Sequence, residues 1–329
     1  MKFLILGAGS LGSIYGGMLD IAGHDVTLVA HGKNYEALKN NGLTIRTPEG
    51  EINRRLNVVS TPGSVEAADV AFLTVKSRDT ESILKTSTHL FGKTLFISFQ
   101  NAGEKDELLS RYAGSRHVIG GVSTVGATLT DPGIVDYTAV GYTWLGEIPK
   151  GRSERVKEIV EILNQSRIPT DHAANITEIK WAKLIVYCAN AGLASLTRLN
   201  TNQSLQDPAL TEVFLRIVRE GGNIMRAVGL TPDNPTHLLP IKRILESQEK
   251  GMIQEFTDRT HKSHDEEKVV VSMLQDVLNG KQIEVEETFG YITKIAQSKN
   301  VEIPTLRIIY ALLRGLNRHI LNNSHNDNS

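Results

Sequence analysis

The stretch Gly7-Ala8-Gly9-Ser10-Leu11-Gly12 narrows most sharply what this 329-residue chain can become. It follows a short apolar run, Phe3 to Leu6. It opens a segment in which Leu11, Ile14, Tyr15, Met18, Leu19 and Ala22 recur at helical spacing. A second apolar run, Val26 to Ala30, comes directly after. A G-x-G-x-x-G turn alone is a weak signal, but between a strand and an amphipathic helix it has the context of a dinucleotide-binding turn. Gly7 permits the tight turn, Gly9 lets the backbone approach a pyrophosphate, and Gly12 lets the helix pack on the strand. The unpaired N–H groups and positive dipole of the helix start favour phosphate. Gly7, Ala8, Gly9, Ser10, Leu11 and Gly12 are therefore candidate cofactor contacts.

The end of the second strand bears on which dinucleotide is bound. An NAD site carries Asp or Glu there, about 20 residues beyond the glycines. This chain reads Val29-Ala30-His31-Gly32-Lys33, with no carboxylate. His31 and Lys33 are candidate partners of a 2′-phosphate, which favours NADP (NADPH) over NAD; an exposed basic loop is the alternative.

Further apolar runs at Val70–Val75, Leu95–Phe99 and Val118–Val122 alternate with helical patterns. They predict a parallel sheet with helices on both faces, an α/β Rossmann-like domain. Ile134–Tyr137 and Tyr142–Leu145 read as strands near its end, and Ile168–Thr170 as a last one. From Ile176 the periodicity becomes helical throughout, with segments at Ile176–Ala194, Leu210–Val228, Val269–Leu278, Ile283–Ser298 and Thr305–Leu321. The expected organisation is a dinucleotide domain over 1–172, an all-helical domain over 173–321 and a polar, disordered tail over 322–329.

Thirty-six basic and 37 acidic residues give a formal net charge of -1, so no global field recruits nucleic acid or an anionic membrane. No apolar run reaches membrane-spanning length, and the opening run stops at Gly7, too early for a signal-peptide core. A single cysteine, Cys188, excludes a disulfide framework within the chain. It sits among apolar helical neighbours and reads as core. A cytoplasmic protein is expected. His261-Lys262-Ser263-His264-Asp265-Glu266-Glu267 has no metal-ligand spacing and reads as a solvated charged segment; no metal is expected.

Three further stretches complete a pattern with the fingerprint. Val75-Lys76 is followed by Gln100-Asn101-Ala102-Gly103. Next comes Gly121-Val122-Ser123-Thr124-Val125-Gly126-Ala127, with Pro132-Gly133 and Leu145-Gly146-Glu147 behind it. Trp181-Ala182-Lys183-Leu184 is followed by Ser272-Met273-Leu274-Gln275-Asp276 and by Glu284. In order and spacing the chain resembles the ketopantoate reductase family along nearly its whole length. The resemblance implies NADPH-dependent reduction of a small 2-oxo acid. It implies Lys183 and Glu284 as catalytic residues, with Lys183 the acid and Glu284 and Ser272 holding the substrate, Lys76 beside the cofactor, and Asn101 beside both cofactor and substrate.

The chemistry of the residues agrees. Ketone reduction needs a hydride on one face and a proton for the oxygen. A lysine beside the carbonyl can stabilise the developing alkoxide and donate that proton. Lys183, Tyr187 and Asn190 stand at i, i+4 and i+7 on one helix side, making Tyr187 and Asn190 further substrate candidates. Three positions depart from the family pattern. His31 replaces an arginine, and Tyr187 and Ala191 replace asparagines four and eight residues after the lysine. Asn190 stands one position off, with its side chain turned by about 100°. A 2-oxo acid is thus better supported than 2-dehydropantoate itself. A D-2-hydroxyacid dehydrogenase acting on a bulkier 2-oxo acid is the alternative enzyme. A dinucleotide-binding regulator would need none of Lys183, Ser272 and Glu284. Assembly, as a homodimer or otherwise, is left open.

Overall fold

The structure is a computed structural model that describes residues 1–232, 238–262 and 270–326. Two compact units emerge. One holds Met1–Gln100 and Glu104–Thr177; the other holds Asn101–Gly103 and the chain from Glu178 onward. The division thus falls a few residues past 172, and a three-residue piece of the first half groups with the second.

The first unit runs β1 (Lys2–Leu6), α1 (Ser10–Ile21), β2 (Asp25–Val29), α2 (Gly32–Asn41), β3 (Leu43–Thr47), β4 (Gly50–Arg54), β5 (Asn57–Val59) and β6 (Val70–Leu73). It continues with α3 (Thr80–Lys85), β7 (Leu95–Ser98), α4 (Lys105–Ala113), β8 (Val118–Ser123), β9 (Gly126–Asp131), β10 (Ile134–Ala139), β11 (Thr143–Gly146), α5 (Glu154–Gln165) and β12 (Thr170–His172). Eight strands pair in the order β12-β11-β8-β7-β6-β1-β2-β5. Only the β11–β8 pair is antiparallel. Alternation along β1 sends Phe3 and Ile5 into one core and Leu4 and Leu6 into the other. The second core takes Ile83 and Leu84 of α3 with Leu109 and Ala113 of α4.

The other face differs from the expected plain helical layer. A four-stranded sheet, β4-β3-β10-β9, lies over α1, so that this helix has a sheet on either side. A Cβ at Gly16 would meet Leu28 of the large sheet, and one at Gly17 would meet Ile45 of the small one. Two adjacent glycines thus let one helix pack closely on both flanks. Tyr15 closes the same core. Its hydroxyl donates to Ser123 Oγ at 3.0 Å and lies 2.6 Å from Thr143 Oγ1, and its ring stacks on Phe99. Burial pushes this phenol above its ordinary range, so it serves as a neutral hydrogen-bonding group. The run Ile134–Tyr137 therefore belongs to the small sheet, not to the end of the large one. The strand expected at Ile168–Thr170 starts only at Thr170.

The second unit is helical: α6 (Ile176–Thr197), α7 (Thr201–Gln206), α8 (Pro208–Ala227), α9 (Ile241–Glu246), α10 (Glu249–Lys262), α11 (Ser272–Leu278), α12 (Tyr291–Ser298) and α13 (Pro304–Asn326). The short α7 and α9, and α10 with its largely polar sequence, carry little helical periodicity. The segment expected as one helix over Ile283–Ser298 is interrupted by a π-helical turn at Glu286–Gly290. Thr288 Oγ1 donates to the Glu284 carbonyl at 2.6 Å, a side-chain bond that competes with the regular ladder. Helix α13 runs to Asn326, so residues 322–326 of the expected disordered tail are helical; 327–329 lie outside the described residues. Most of the charged His261–Glu267 segment, residues 263–267, also lies outside them. Among the described residues no helix is long and apolar enough to cross a membrane.

One buried carboxylate organises this unit. Glu220 of α8 accepts from the Thr305 and Leu306 backbone N–H groups, both at 2.8 Å, and so caps α13, whose first residue is Pro304. Glu220→Ala leaves two donors at the helix start unpaired. Its expected effect, read by urea denaturation, is a loss of about 2 kcal/mol of stability.

Candidate active site and dinucleotide loop

In the first unit the glycine turn adopts the conformation its sequence implies. Gly7 has φ of +113°, and a Cβ there would sit 2.7 Å from Val75 Cγ1 and 2.8 Å from Val75 N. A Cβ at Gly12 would meet the Gly7 carbonyl, Thr74 and Ile5. At Gly9, which caps α1, a Cβ would meet nothing within 4 Å, so the backbone is open to a ligand there. The Ala8 N–H donates to Val29 O at 2.8 Å, and Thr74 Oγ1 donates to Gly7 O at 2.7 Å, anchoring the turn to β2 and to the end of β6. Ser10 Oγ accepts from Leu129 N at 2.9 Å. Leu11 is partly buried against the core. His31 is the residue preceding α2 and Lys33 lies in its first turn, both exposed. Lys76 stands partly buried just beyond β6, at the head of a short 3-10 turn. A tight, positive-φ turn, an open backbone at Gly9 and an unpaired helix start with basic side chains beyond β2 fit a phosphorylated dinucleotide.

In the second unit four of the predicted residues meet. Lys183 Nζ of α6 donates to Asn101 Oδ1. Asn101 Nδ2 lies 3.5 Å from Ser272 Oγ at the head of α11, a long contact, and Ser272 Oγ lies 3.1 Å from the Tyr187 hydroxyl. The Lys183 ammonium stands 5.2 Å from the centroid of the Tyr187 ring, one helical turn away, which closes the circuit. Lys183, Asn101 and Ser272 are partly exposed, while Tyr187 is buried. Burial pushes the Tyr187 phenol above its ordinary range. The Glu284 carboxylate adds to this, and the Ser272 hydrogen bond opposes it. Tyr187 is thus a neutral hydrogen-bonding group beside a cation.

Glu284 is buried, and it stands ahead of the helical segment instead of in its first turn. Its negative charge disfavours ionisation of the Tyr187 phenol. Asn190 is partly exposed and does not join the hydrogen-bonded group. Cys188, fully buried, has its thiol pushed up by burial against the opposing pull of Lys183, so it is core as expected.

Two residues that sequence reasoning missed hold Asn101 in place. Gly103 N donates to Glu287 O at 3.0 Å, and a Cβ at Gly103 would enter the Tyr291 ring. Tyr291 in turn packs on Trp181, with centroids 5.7 Å apart. The only signal in the sequence is the glycine itself, two residues after Asn101.

A family model described as Ketopantoate reductase PanE/ApbA matches residues 3–150, and one described as Ketopantoate reductase PanE/ApbA C terminal matches residues 175–317. A 2-dehydropantoate 2-reductase of Pyrococcus horikoshii is 32% identical over 317 residues, 95% of this chain and 97% of its own. A solved PanE/ApbA family ketopantoate reductase from Ralstonia eutropha is 25% identical, with a TM-score of 0.81 over 98% of this chain and 100% of its own. The ternary structure of D-mandelate dehydrogenase with NADH and anilino(oxo)acetate shares the fold, with a TM-score of 0.84 at 20% identity over 97% of this chain and 99% of its own.

Gly103→Ala tests the anchor. The added methyl must displace Tyr291, so the variant should lose about 1–3 kcal/mol of stability in chemical denaturation. Unchanged stability would mean that the Gly103–Tyr291 packing does not hold this turn.

Proposed function

Because the chain belongs to the ketopantoate reductase PanE/ApbA family, oxidoreductases acting on a CH–OH group, we propose that it reduces a 2-oxo acid with NADPH. The leading reaction is 2-dehydropantoate to (R)-pantoate. A cytoplasmic setting belongs to the same reading. The observation that carries it is the Lys183 ammonium, partly exposed and aimed by Asn101.

The bound cofactor supplies a hydride to the carbonyl carbon. Gly7, Ala8, Gly9, Ser10, Leu11 and Gly12 would hold its pyrophosphate, with His31 and Lys33 serving the 2′-phosphate and Lys76 and Asn101 nearby. Lys183 does the chain's own chemistry. Its N–H points at the carbonyl oxygen, favours the developing negative charge there and hands over the proton as the alkoxide forms. A lysine that has given up its proton is neutral, and its partial exposure lets solvent restore it. Asn101 accepts one ammonium hydrogen and so fixes which way the others point. Tyr187 offers its ring face to the cation and its hydroxyl to Ser272. Glu284 and Ser272 hold the polar groups of the substrate, and Asn190 extends the polar face of α6.

A second reading rests on Tyr187. Where the family carries a short amide, this chain presents a buried aromatic ring whose hydroxyl already engages Ser272. That surface suits a bulkier, less hydroxylated 2-oxo acid. A panel of 2-oxo acids assayed with NADPH and NADH at the nicotinamide absorbance separates the two readings. NADPH should give the higher kcat/KM, because no carboxylate ends β2. A clear preference for NADH would remove the 2′-phosphate role of His31 and Lys33.

Lys183→Ala should lower kcat by at least about 10²-fold on the best substrate of that panel while cofactor binding survives. Lys183→Arg should not restore the rate, since a guanidinium does not release its proton near neutral pH. Near-wild-type kcat in Lys183→Ala would exclude Lys183 as the acid and turn attention to Lys76.

A further inference from the structure

Asn34, in the first turn of α2, makes two hydrogen bonds that span the first unit. Its Nδ2 donates to Ala8 O at 2.7 Å, inside the glycine turn. Its Oδ1 accepts from Gly133 N at 2.8 Å, at the tip of the β9–β10 hairpin. The partners dictate the orientation of the amide, because an acceptor must face Nδ2 and a donor must face Oδ1. The Ala8 carbonyl also receives Ser13 Oγ at 3.3 Å. Two side-chain donors thus meet this carbonyl.

A trans peptide points its C=O and its N–H in opposite directions. Holding the Ala8 carbonyl against Asn34 therefore holds the Gly9 N–H away from it. Gly9 is the residue beside which a Cβ would meet nothing within 4 Å. The hairpin tip that backs Asn34 is itself braced. Gly133 has φ of +79°, a Cβ there would sit 3.4 Å from Ala37 Cβ of α2, and Gly133 O accepts from Thr44 N of β3 at 2.8 Å. The same hairpin reaches the turn a second time, through the Leu129 N–H on Ser10 Oγ. As Ser10 Oγ accepts there, its own hydrogen remains for a phosphate.

We propose that Asn34 is a positioning residue for the cofactor. Through the Ala8–Gly9 peptide it presents the Gly9 N–H to the pyrophosphate, with the small sheet as its support. This inference rests on the dinucleotide reading of the turn. It assigns the small sheet a part in cofactor binding, and it requires a side chain that donates and accepts at once. A carboxylate at position 34 would keep the bond from Gly133 N but set an oxygen against Ala8 O.

The test is NADPH binding to the full chain, followed by calorimetry, in the wild type and in Asn34→Asp and Asn34→Ala. Both variants should bind NADPH about tenfold more weakly per folded molecule. KM for NADPH should rise in step while kcat at saturating NADPH stays within about twofold, the pattern of lost uniform binding. Asn34→Asp keeps the hairpin bond, so it reports on the Ala8 contact even if Asn34→Ala folds poorly. Wild-type affinity in Asn34→Asp would overturn the proposal while leaving the dinucleotide site in place. A wild-type chain that binds neither NADPH nor NADH would overturn both.

Discussion

Close approach of helix α1 to its surroundings is the constraint on which the first unit depends. Its start must come within reach of β1 and the end of β6, which Gly7 and Gly12 permit by lacking a Cβ. Its middle must fit between two sheets, which Gly16 and Gly17 permit in the same way. Larger side chains at these positions would force α1 away from a sheet and open voids in a close-packed interior. The glycine turn is the N-terminal end of this helix, so the packing that seats α1 also places the turn.

Tyr15 shows how the pieces are joined. It leaves α1 next to Gly16, stacks on Phe99 and hydrogen-bonds to Ser123 of β8 and Thr143 of β11. A buried phenol without partners would cost stability; with two hydroxyls it ties the helix to strands far along the chain. The small sheet adds a second tie through Leu129 and Gly133, whose N–H groups meet Ser10 and Asn34. The glycine turn is thus braced from the large sheet on one side and from an added layer on the other.

The second unit is built on a different principle. Its helices share one hydrophobic core, into which pairs and small groups of polar side chains are set. Glu220 satisfies the start of α13, and Asn101, Ser272, Tyr187 and Lys183 satisfy one another. The π-helical turn at Glu286–Gly290 belongs to this arrangement. It follows Glu284 and leads into Tyr291, against which Gly103 is packed. Departures from a regular helix are common where side chains must be aimed, and this one lies between a carboxylate and the anchor of Asn101.

Local periodicity in the sequence determined most strands of the large sheet, though not β5, together with helices α1, α6, α8 and α13 and the glycine turn, because each is encoded by residues close together in the chain. The spacing of Lys183 and Tyr187 on one helix face was legible for the same reason. The small sheet was not, since its strands are half-exposed and β3 pairs with β10 across some ninety residues of chain. The same holds for the site. Asn101, Lys183 and Ser272 are far apart in sequence and carry no local mark of their contact. Their joining depends on Gly103 having no Cβ against Tyr291 and on Glu287 accepting its N–H. Only tertiary packing decides such contacts, because the free energy that makes them lies in burial and hydrogen bonding between segments that the linear order keeps separate.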